Sequence, residues 1–356
     1  MKENFLRLIR LGIGHGAGPL REPVDWDEVE TLAARQGLMG VVLDGIQCIA
    51  ESAENAETIP YKKKLEWLGL VMQGYELRYK DYRKALTELA TFYGRHGYKM
   101  MVLKGYACGK DWPKPEHRPY GDIDIWLFGK QKEADAILTK DTGIVIDSSR
   151  HHHTVFNWMG FTVENHYDFV NVHARRSTAE LDKVFKELGH TDSSTTSGQV
   201  TDFCLPSANL HALFLLKHCI SHFVGANISL RQVLDWAFFV EKHTDEIDWV
   251  WLNGMIGRFH MKDFVNCLSA ICVEDLGFDA TIFKGVQSKP PLKDRVLDDI
   301  LYPTFTAETP KPLIPRAVRM YRRWKGNGWK HVLCYGESRW ENLWPLLRSH
   351  LMKPEV

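Results

Sequence analysis

The hexapeptide DIDIWL, residues 122–127, constrains the chain more than any other stretch, because it sets two carboxylates one residue apart in an apolar run. Side chains alternate along a strand, so Asp122 and Asp124 share one face while Ile123, Ile125 and Leu127 share the other. Like charges on one face repel, and each is costly to strip of water. A buried strand has a use for such a pair only where a cation relieves it. Two carboxylates about 7 Å apart along a strand can converge on divalent metal, and Mg²⁺ takes hard oxygen ligands of this kind together with substrate phosphates. The plain alternative is a solvated strand end without chemistry.

The flanking residues favour the metal. YKMMVL (98–103) reads as a short strand that runs into Lys104-Gly105, and a proline-rich loop, WPKPEHRPYG, then leads to Asp122. Gly105 at a strand end permits close approach of the backbone to a phosphate, and Lys104 supplies a point charge for the same group. Gly121 directly precedes the aspartates; Arg118, four residues before Asp122, is placed to clamp a triphosphate, or else is an exposed loop arginine. A third carboxylate is wanted on a neighbouring strand. FTVENHYDF offers Glu164 and Asp168 with His166 between them, and Glu164 is chosen because it follows an apolar entry into the strand.

Around this centre the pattern is helical, then mixed, then helical. Residues 26–50 and 62–96 carry apolar positions at three- and four-residue steps, the second stretch closing at Gly97 or dividing in two near Gly74. KQKEADAILTK (130–140) reads as a helix, GIVID (143–147) as a strand, and 154–173 as two strands joined at Met159-Gly160. The polar run 190–202 is a linker or exposed loop, and helical patterns resume at Pro206. The expected domains are a helical region over 1–97, an α/β core over 98–200 and a helical region over 201–356.

Composition narrows the function classes. With 356 residues, 44% hydrophobic and 25% charged, the chain can bury a sizeable core and is not of disordered type. Its formal net charge is zero, so no global basic field recruits nucleic acid. The seven cysteines form no CxxC pair, which suits a reducing compartment. The charged start and the lack of any apolar run of about 18 residues point to a cytoplasmic protein with no membrane partner.

LKG (103–105), WPKPEHRPYGDIDI (112–125), VENH (163–166) and LRQVLDWAFF (230–239) together resemble the uncharacterised nucleotidyltransferases of the polymerase-β-like superfamily. The resemblance implies an α+β fold, a polymerase-β-like core with a small mixed sheet between helical N- and C-terminal regions. It further implies transfer of a nucleoside monophosphate from an NTP donor to an unidentified acceptor, with release of pyrophosphate. Asp122, Asp124 and Glu164 would be catalytic and hold two Mg²⁺ ions, Mn²⁺ being the substitute. Lys104, Gly105, Arg118, Gly121, His166 and Arg231 would bind the nucleotide. The superfamily usually has Gly-Ser or Gly-Gly at the turn, whereas Tyr106 follows Gly105 here. That departure keeps a second reading open, a non-catalytic nucleotide-binding sensor or scaffold.

Other motifs have plainer expectations. His151, His152 and His153 cannot all face one metal if they lie on a strand, so an exposed edge is expected, with one ring bordering the nucleotide pocket. His211, His218 and His222 share a helix face and are expected between the α/β unit and the helices. A histidine-metal hydrolase built on them is the weaker third reading. Arg231 and Asp235 at i, i+4 form a surface ion pair unless the arginine serves a phosphate. The basic, aromatic segment 316–330 could meet a nucleic acid but reads first as a helix with solvated arginines. The stretch after it, SRWENLWPLLRSHL, is amphipathic and expected to be a packed helix.

Overall fold

The computed structural model describes residues 1–21, 23–51, 59–173, 176–192, 203–225, 227–285, 287, 289–304, 316–337 and 340–341. Helices come first. α1 (Lys2–Gly12) is followed by α2 (Trp26–Gln36), whose first turn is capped by the Asp25 carboxylate and which ends at left-handed Gly37. α3 (Met39–Glu51) crosses α1 so closely that a Cβ on Gly45 would lie 2.1 Å from the Leu8 carbonyl oxygen. α4 (Tyr61–Val71) runs through a π turn at Met72–Leu77 into α5 (Arg78–Arg95). The pattern expected over 62–96 is therefore continuous, and Gly74 marks the irregular turn instead of a break. The rod stops just before Gly97, whose φ of 78° a side chain would oppose.

The sheet occupies the middle of the chain. β1 (Met101–Val102), β2 (Ile123–Trp126), β3 (His153–Trp158) and β4 (Phe161–His166) form a four-stranded mixed sheet in the order β1-β2-β4-β3. β1 runs antiparallel to β2, β2 parallel to β4, and β3 antiparallel to β4. The β3–β4 hairpin turns at Met159-Gly160, both with positive φ, as a right-twisted pair requires. Cys204 exchanges backbone hydrogen bonds with Met100 and Val102 at the outer side of β1. Two expected strands are shorter than read. β1 keeps two residues of 98–103, and 143–147 contributes only a bridge from Asp147 to Val155.

A short helix α6 (Tyr106–Gly109) follows β1, α7 (Gln131–Thr142) follows β2, and α8 (Arg176–Asp192) follows β4. The polar run 190–202 begins as the end of α8, and its remainder lies outside the described residues. Then come α9 (Ala208–Gly225), α10 (Leu230–His243), α11 (Trp249–Arg258), α12 (Lys262–Ala270), α13 (Pro290–Leu301), α14 (Arg316–Gly326) and α15 (Gly328–Tyr335). The fold is mixed α+β. Among the described residues no helix is long and apolar enough to cross a membrane.

Two apolar cores meet at the sheet. One collects Tyr82, Leu86 and Leu89 of α5, Ala134 and Leu138 of α7, and Ile123, Ile125, Leu127 and Val163 from the sheet. The other unites the N-terminal helices with α9, α10 and α12, and takes Trp126 from β2. β2 is thus buried on both sides, with the expected alternation. Asp124 lies on the Trp126 side, beneath the helices, and parallel pairing puts Glu164 and His166 there too.

Candidate functional site

Register builds the centre. In the parallel β2–β4 pair, Asp124 stands opposite Glu164, and Trp126 opposite His166. Asp124 is 3% exposed, and its Oδ1 receives Lys104 Nζ at 2.5 Å and faces His166 Nε2 at 3.2 Å. Glu164 lies 3.7 Å from both His166 Nε2 and His153 Nε2. Ligand atoms of Asp124, Glu164 and His166 all fall within 4.8 Å of one another. Asp122 keeps contact with solvent at the rim of this face, although protein surrounds much of it, and lies outside that tight group.

The charges respond as this geometry demands. Burial and the neighbouring Glu164 and Asp124 carboxylates raise the pKa of Asp122. Burial pushes Asp124 the same way, but the Lys104 ammonium and His166 reverse it and hold that carboxyl well below its usual range. His166 is raised, since hydrogen bonds to Asp124 and Glu164 outweigh its burial. His152 and His153 are pushed down to about 2 and about 4, first by burial. The Lys104 ammonium offsets the negative charge of this face. Hard carboxylate oxygens on adjacent strands fit a divalent ion.

The turn above the centre admits no side chain. Gly105 has φ 59° and ψ −102°, and a Cβ there would lie 2.1 Å from the Tyr82 hydroxyl oxygen. Leu103 N–H donates to the Asp124 carbonyl at 2.9 Å, which ties the Lys-Gly turn to β2. Gly121 has open space around its Cα and no positive φ. It gives access to Asp122 without being required by the backbone.

The proline-rich loop proves to be a structural clasp. Arg118, expected to clamp a triphosphate, is spent on Asp235 of α10: Nε donates to Oδ1 at 2.7 Å and Nη2 to Oδ2 at 2.9 Å. Both partners are buried, and Trp112 Nε1 adds a third bond to Asp235 at 2.9 Å. His117 and Lys114 meet Asp44 of α3 at 2.7 and 2.6 Å, and His117 also meets Glu76 at 3.3 Å. The loop thereby joins three helical elements to the sheet.

Asp235 is therefore not the partner of Arg231, and the surface ion pair expected at i, i+4 does not form. α10 is buried, and its Asp235 turns inward to a guanidinium that comes from elsewhere. A capping box at Ser229 and Gln232 starts α10 and leaves Arg231 in its first turn. That is a poor place for a cation, because the helix N-terminus is itself positive. Arg231 has no hydrogen bond or ion pair among the described residues. Burial, then the nearby Arg118, lowers its pKa, and its field reaches Asp122, His218 and His222.

The helix histidines divide. His211 packs in the core, 3.8 Å from Cys108 Sγ and against Phe239. His218 and His222 pack with ring centroids 4.3 Å apart and tilted by 57°, and both feel Lys104 and Asp124. His222 keeps contact with solvent although protein surrounds it. The histidine-metal reading gains nothing, because these three are not among the described groups whose donor atoms converge. His151–His153 were expected at an exposed edge, yet His151 and His153 are buried. β3 starts only at His153, so strand alternation does not separate His152 from His153. Asp168, the carboxylate not chosen, is bound to Lys186.

In the basic segment, Trp329 packs beside Phe223 beneath Arg295, and Tyr321 is exposed. The amphipathic end lies outside the described residues apart from Trp340 and Glu341.

Comparison with protein families matches residues 22–277 to the family described as uncharacterised nucleotidyltransferase. The matched part includes the whole sheet, the clasp, α9 and α10, and the chain belongs to this family. Searches of curated proteins and of solved structures return no match.

Proposed function

From membership in that family, we propose that the chain moves a nucleoside monophosphate from an NTP to an acceptor hydroxyl or phosphate, with release of pyrophosphate. The observation that supports this most is the opposition of Asp124 and Glu164 on parallel strands, with the Lys104 ammonium on the Asp124 carboxylate. The sheet would be a polymerase-β-like core, with domain limits near residues 97 and 200. Asp122, Asp124 and Glu164 would hold Mg²⁺, which when bound supplies charge for the phosphates and a lowered acceptor pKa.

The chain's own groups do the rest. Lys104 releases Asp124 and pairs with the incoming triphosphate, its ammonium exchanging one anion for another. Arg231, a cation at a helix N-terminus without a partner among the described residues, meets the same anion and is relieved of its poor position. His166 holds the Asp124 carboxylate in place from below. Gly105 lets the phosphates approach the backbone, and His218 and His222 form the facing wall. Arg118 contributes only by holding the loop.

Calorimetric titration with a non-hydrolysable ATP analogue and Mg²⁺ tests the reading, followed by pyrophosphate release from each NTP. Magnesium-dependent binding should vanish in Asp122→Ala and Asp124→Asn and weaken about tenfold or more in Arg231→Gln, which removes a charged hydrogen bond. The Lys104–Asp124 contact also supports the sensor reading. A sensor would bind nucleotide equally well without Mg²⁺ and would be indifferent to Asp122→Ala.

A further inference from the structure

The acidic centre has a nitrogen-rich flank of which the transferase reading uses only His166. His152, His153 and His166 each present a ring nitrogen, and these atoms lie within 4.8 Å of one another. The rings are packed, with centroids 4.4 Å apart for His152–His153, 5.1 Å for His153–His166 and 5.5 Å for His152–His166. Backbone bonds hold them there. His153 and His166 are register partners across β3–β4, and the His152 carbonyl accepts the N–H groups of Tyr167 and Asp168 at 3.0 and 3.1 Å.

Two features single this group out from a packed histidine cluster. The Nδ1 atoms of both His152 and His153 are buried without a hydrogen-bond partner among the described residues. Leaving a buried polar atom unsatisfied costs about 1–3 kcal/mol, and here it happens twice at adjacent residues. His166, in contrast, has its Nδ1 placed 3.2 Å from the Asp168 carbonyl, the outer contact that orients a metal-bound imidazole. Glu164 Oε1, 3.7 Å from His153 Nε2, completes the surroundings with a carboxylate.

We propose that His152, His153 and His166 form a binding site for a borderline divalent transition metal of the Zn²⁺ type, with Glu164 as the adjoining oxygen donor. Three imidazoles and a carboxylate are a donor set that Zn²⁺ accepts and Mg²⁺ declines. The site abuts the hard-ligand centre and shares His166 and Glu164 with it. A metal there pins the end of β4 to the start of β3 and claims the His166 Nε2 that otherwise faces Asp124. The proposal goes beyond the transferase reading and does not depend on it.

The test uses the full chain, Co²⁺ as a visible probe of nitrogen ligation, and Mg²⁺ in large excess to fill hard sites. The chain has 16 histidines, so weak surface binding forms a background, and the variants supply the contrast. One saturable equivalent of Co²⁺ is expected, with the strong visible absorption of a four-coordinate ion, displaced by Zn²⁺. His152→Gln should weaken it by about tenfold or more, as loss of a ligand exceeds loss of an outer-shell partner. His152→Gln/His153→Gln should abolish the absorption while the far-ultraviolet circular dichroism stays unchanged. Asp122→Asn, which removes no nitrogen, should leave it intact even where nucleotide binding is lost. Absence of saturable Co²⁺ binding, or identical binding by the folded single and double variants, overturns the proposal. Failure of nucleotide binding alone leaves the metal result standing and strikes only the transferase reading.

Discussion

Gly105→Ala is the sharpest test of how the turn above the acidic centre is built. A β-carbon meets two obstacles there. The backbone is at φ 59° and ψ −102°, where an L residue loses at least about 1–2 kcal/mol. The new atom would also lie 2.1 Å from the Tyr82 hydroxyl oxygen and 3.0 Å from the ring carbon that bears it. Tyr82 cannot step aside, since it is 0% exposed and wedged between Tyr120 and Phe161 at 4.7 and 5.4 Å between ring centres. Overpacking of this kind adds about 1–3 kcal/mol, so the substitution should cost about 2–5 kcal/mol in all. Unfolding entropy grows with length, so a cooperative chain of 356 residues shifts by about 1.3 °C per kcal/mol, and Tm should fall by about 3–7 °C.

The two obstacles separate in a double-mutant cycle. Tyr82→Phe deletes the oxygen and its long 3.4 Å bond to the Asp122 carbonyl, which alone should cost about 0.5–1.5 kcal/mol. Added to Gly105→Ala, it should relieve the overlap but not the backbone strain, giving a favourable coupling of about 1–2 kcal/mol. Urea unfolding followed by tryptophan fluorescence reads all four corners. A Gly105→Ala protein within about 0.5 kcal/mol of wild type, or an additive cycle, would refute the reasoning.

Three further perturbations address the clasp and the charges. Asp235→Ala strands the buried Arg118 guanidinium and the Trp112 N–H together, and should lower unfolding stability by about 3–5 kcal/mol in urea titrations. Arg118→Lys should not restore the two-pronged contact. Asp122→Asn should raise Tm at pH 7 while eliminating Mg²⁺-dependent nucleotide binding. Its carboxyl is raised in the fold by burial and by Glu164 and Asp124, so the ionised form opposes folding above the ordinary carboxylate range, and the gain should fade below about pH 4. A lowered Tm with nucleotide binding intact would make Asp122 structural. His117 has its pKa raised because its bonds to Asp44 and Glu76 outweigh burial and the repulsion of Lys114. Its contribution is complete below about pH 6.5 and is lost as pH rises through the raised folded value. Urea midpoints should therefore drop more between pH 6 and pH 8 for wild type than for His117→Gln, and parallel profiles would exclude the effect.

What the sequence made legible is what local periodicity encodes. The sides taken by Ile123, Ile125 and Leu127 follow from a period of two, and the long helical rod up to Gly97 follows from steps of three and four. Glu164 could be read because an apolar entry, FTV, fixes which residues of the next strand turn inward. Even so, GIVID alternates well and is no strand: Val145 is 86% exposed, and only Asp147 finds a partner, on Val155. Alternation says which way side chains would point, but pairing needs a neighbouring edge that the local pattern does not disclose.

The misassigned residues share a cause, which is competition from partners distant in sequence. Arg231 and Asp235 have the spacing of a helix-surface pair, but that rule holds for a face in water, and α10 lies inside. Once buried, Asp235 is claimed by a two-pronged guanidinium 117 residues away, a stronger bond than a single neighbour on the same helix can offer. The consequence reverses both arginines. Arg118, in the loop that leads to the aspartates, looks functional and is a clasp, while Arg231 is left in the first turn of a helix as a cation whose neighbours are another arginine and the acidic face. The same logic applies to the histidines, since β3 begins only at the last of the three, which frees His152 from alternation and lets its ring pack against His166. At both places the residues left unsatisfied by packing are where a bound anion or metal would be most strongly held.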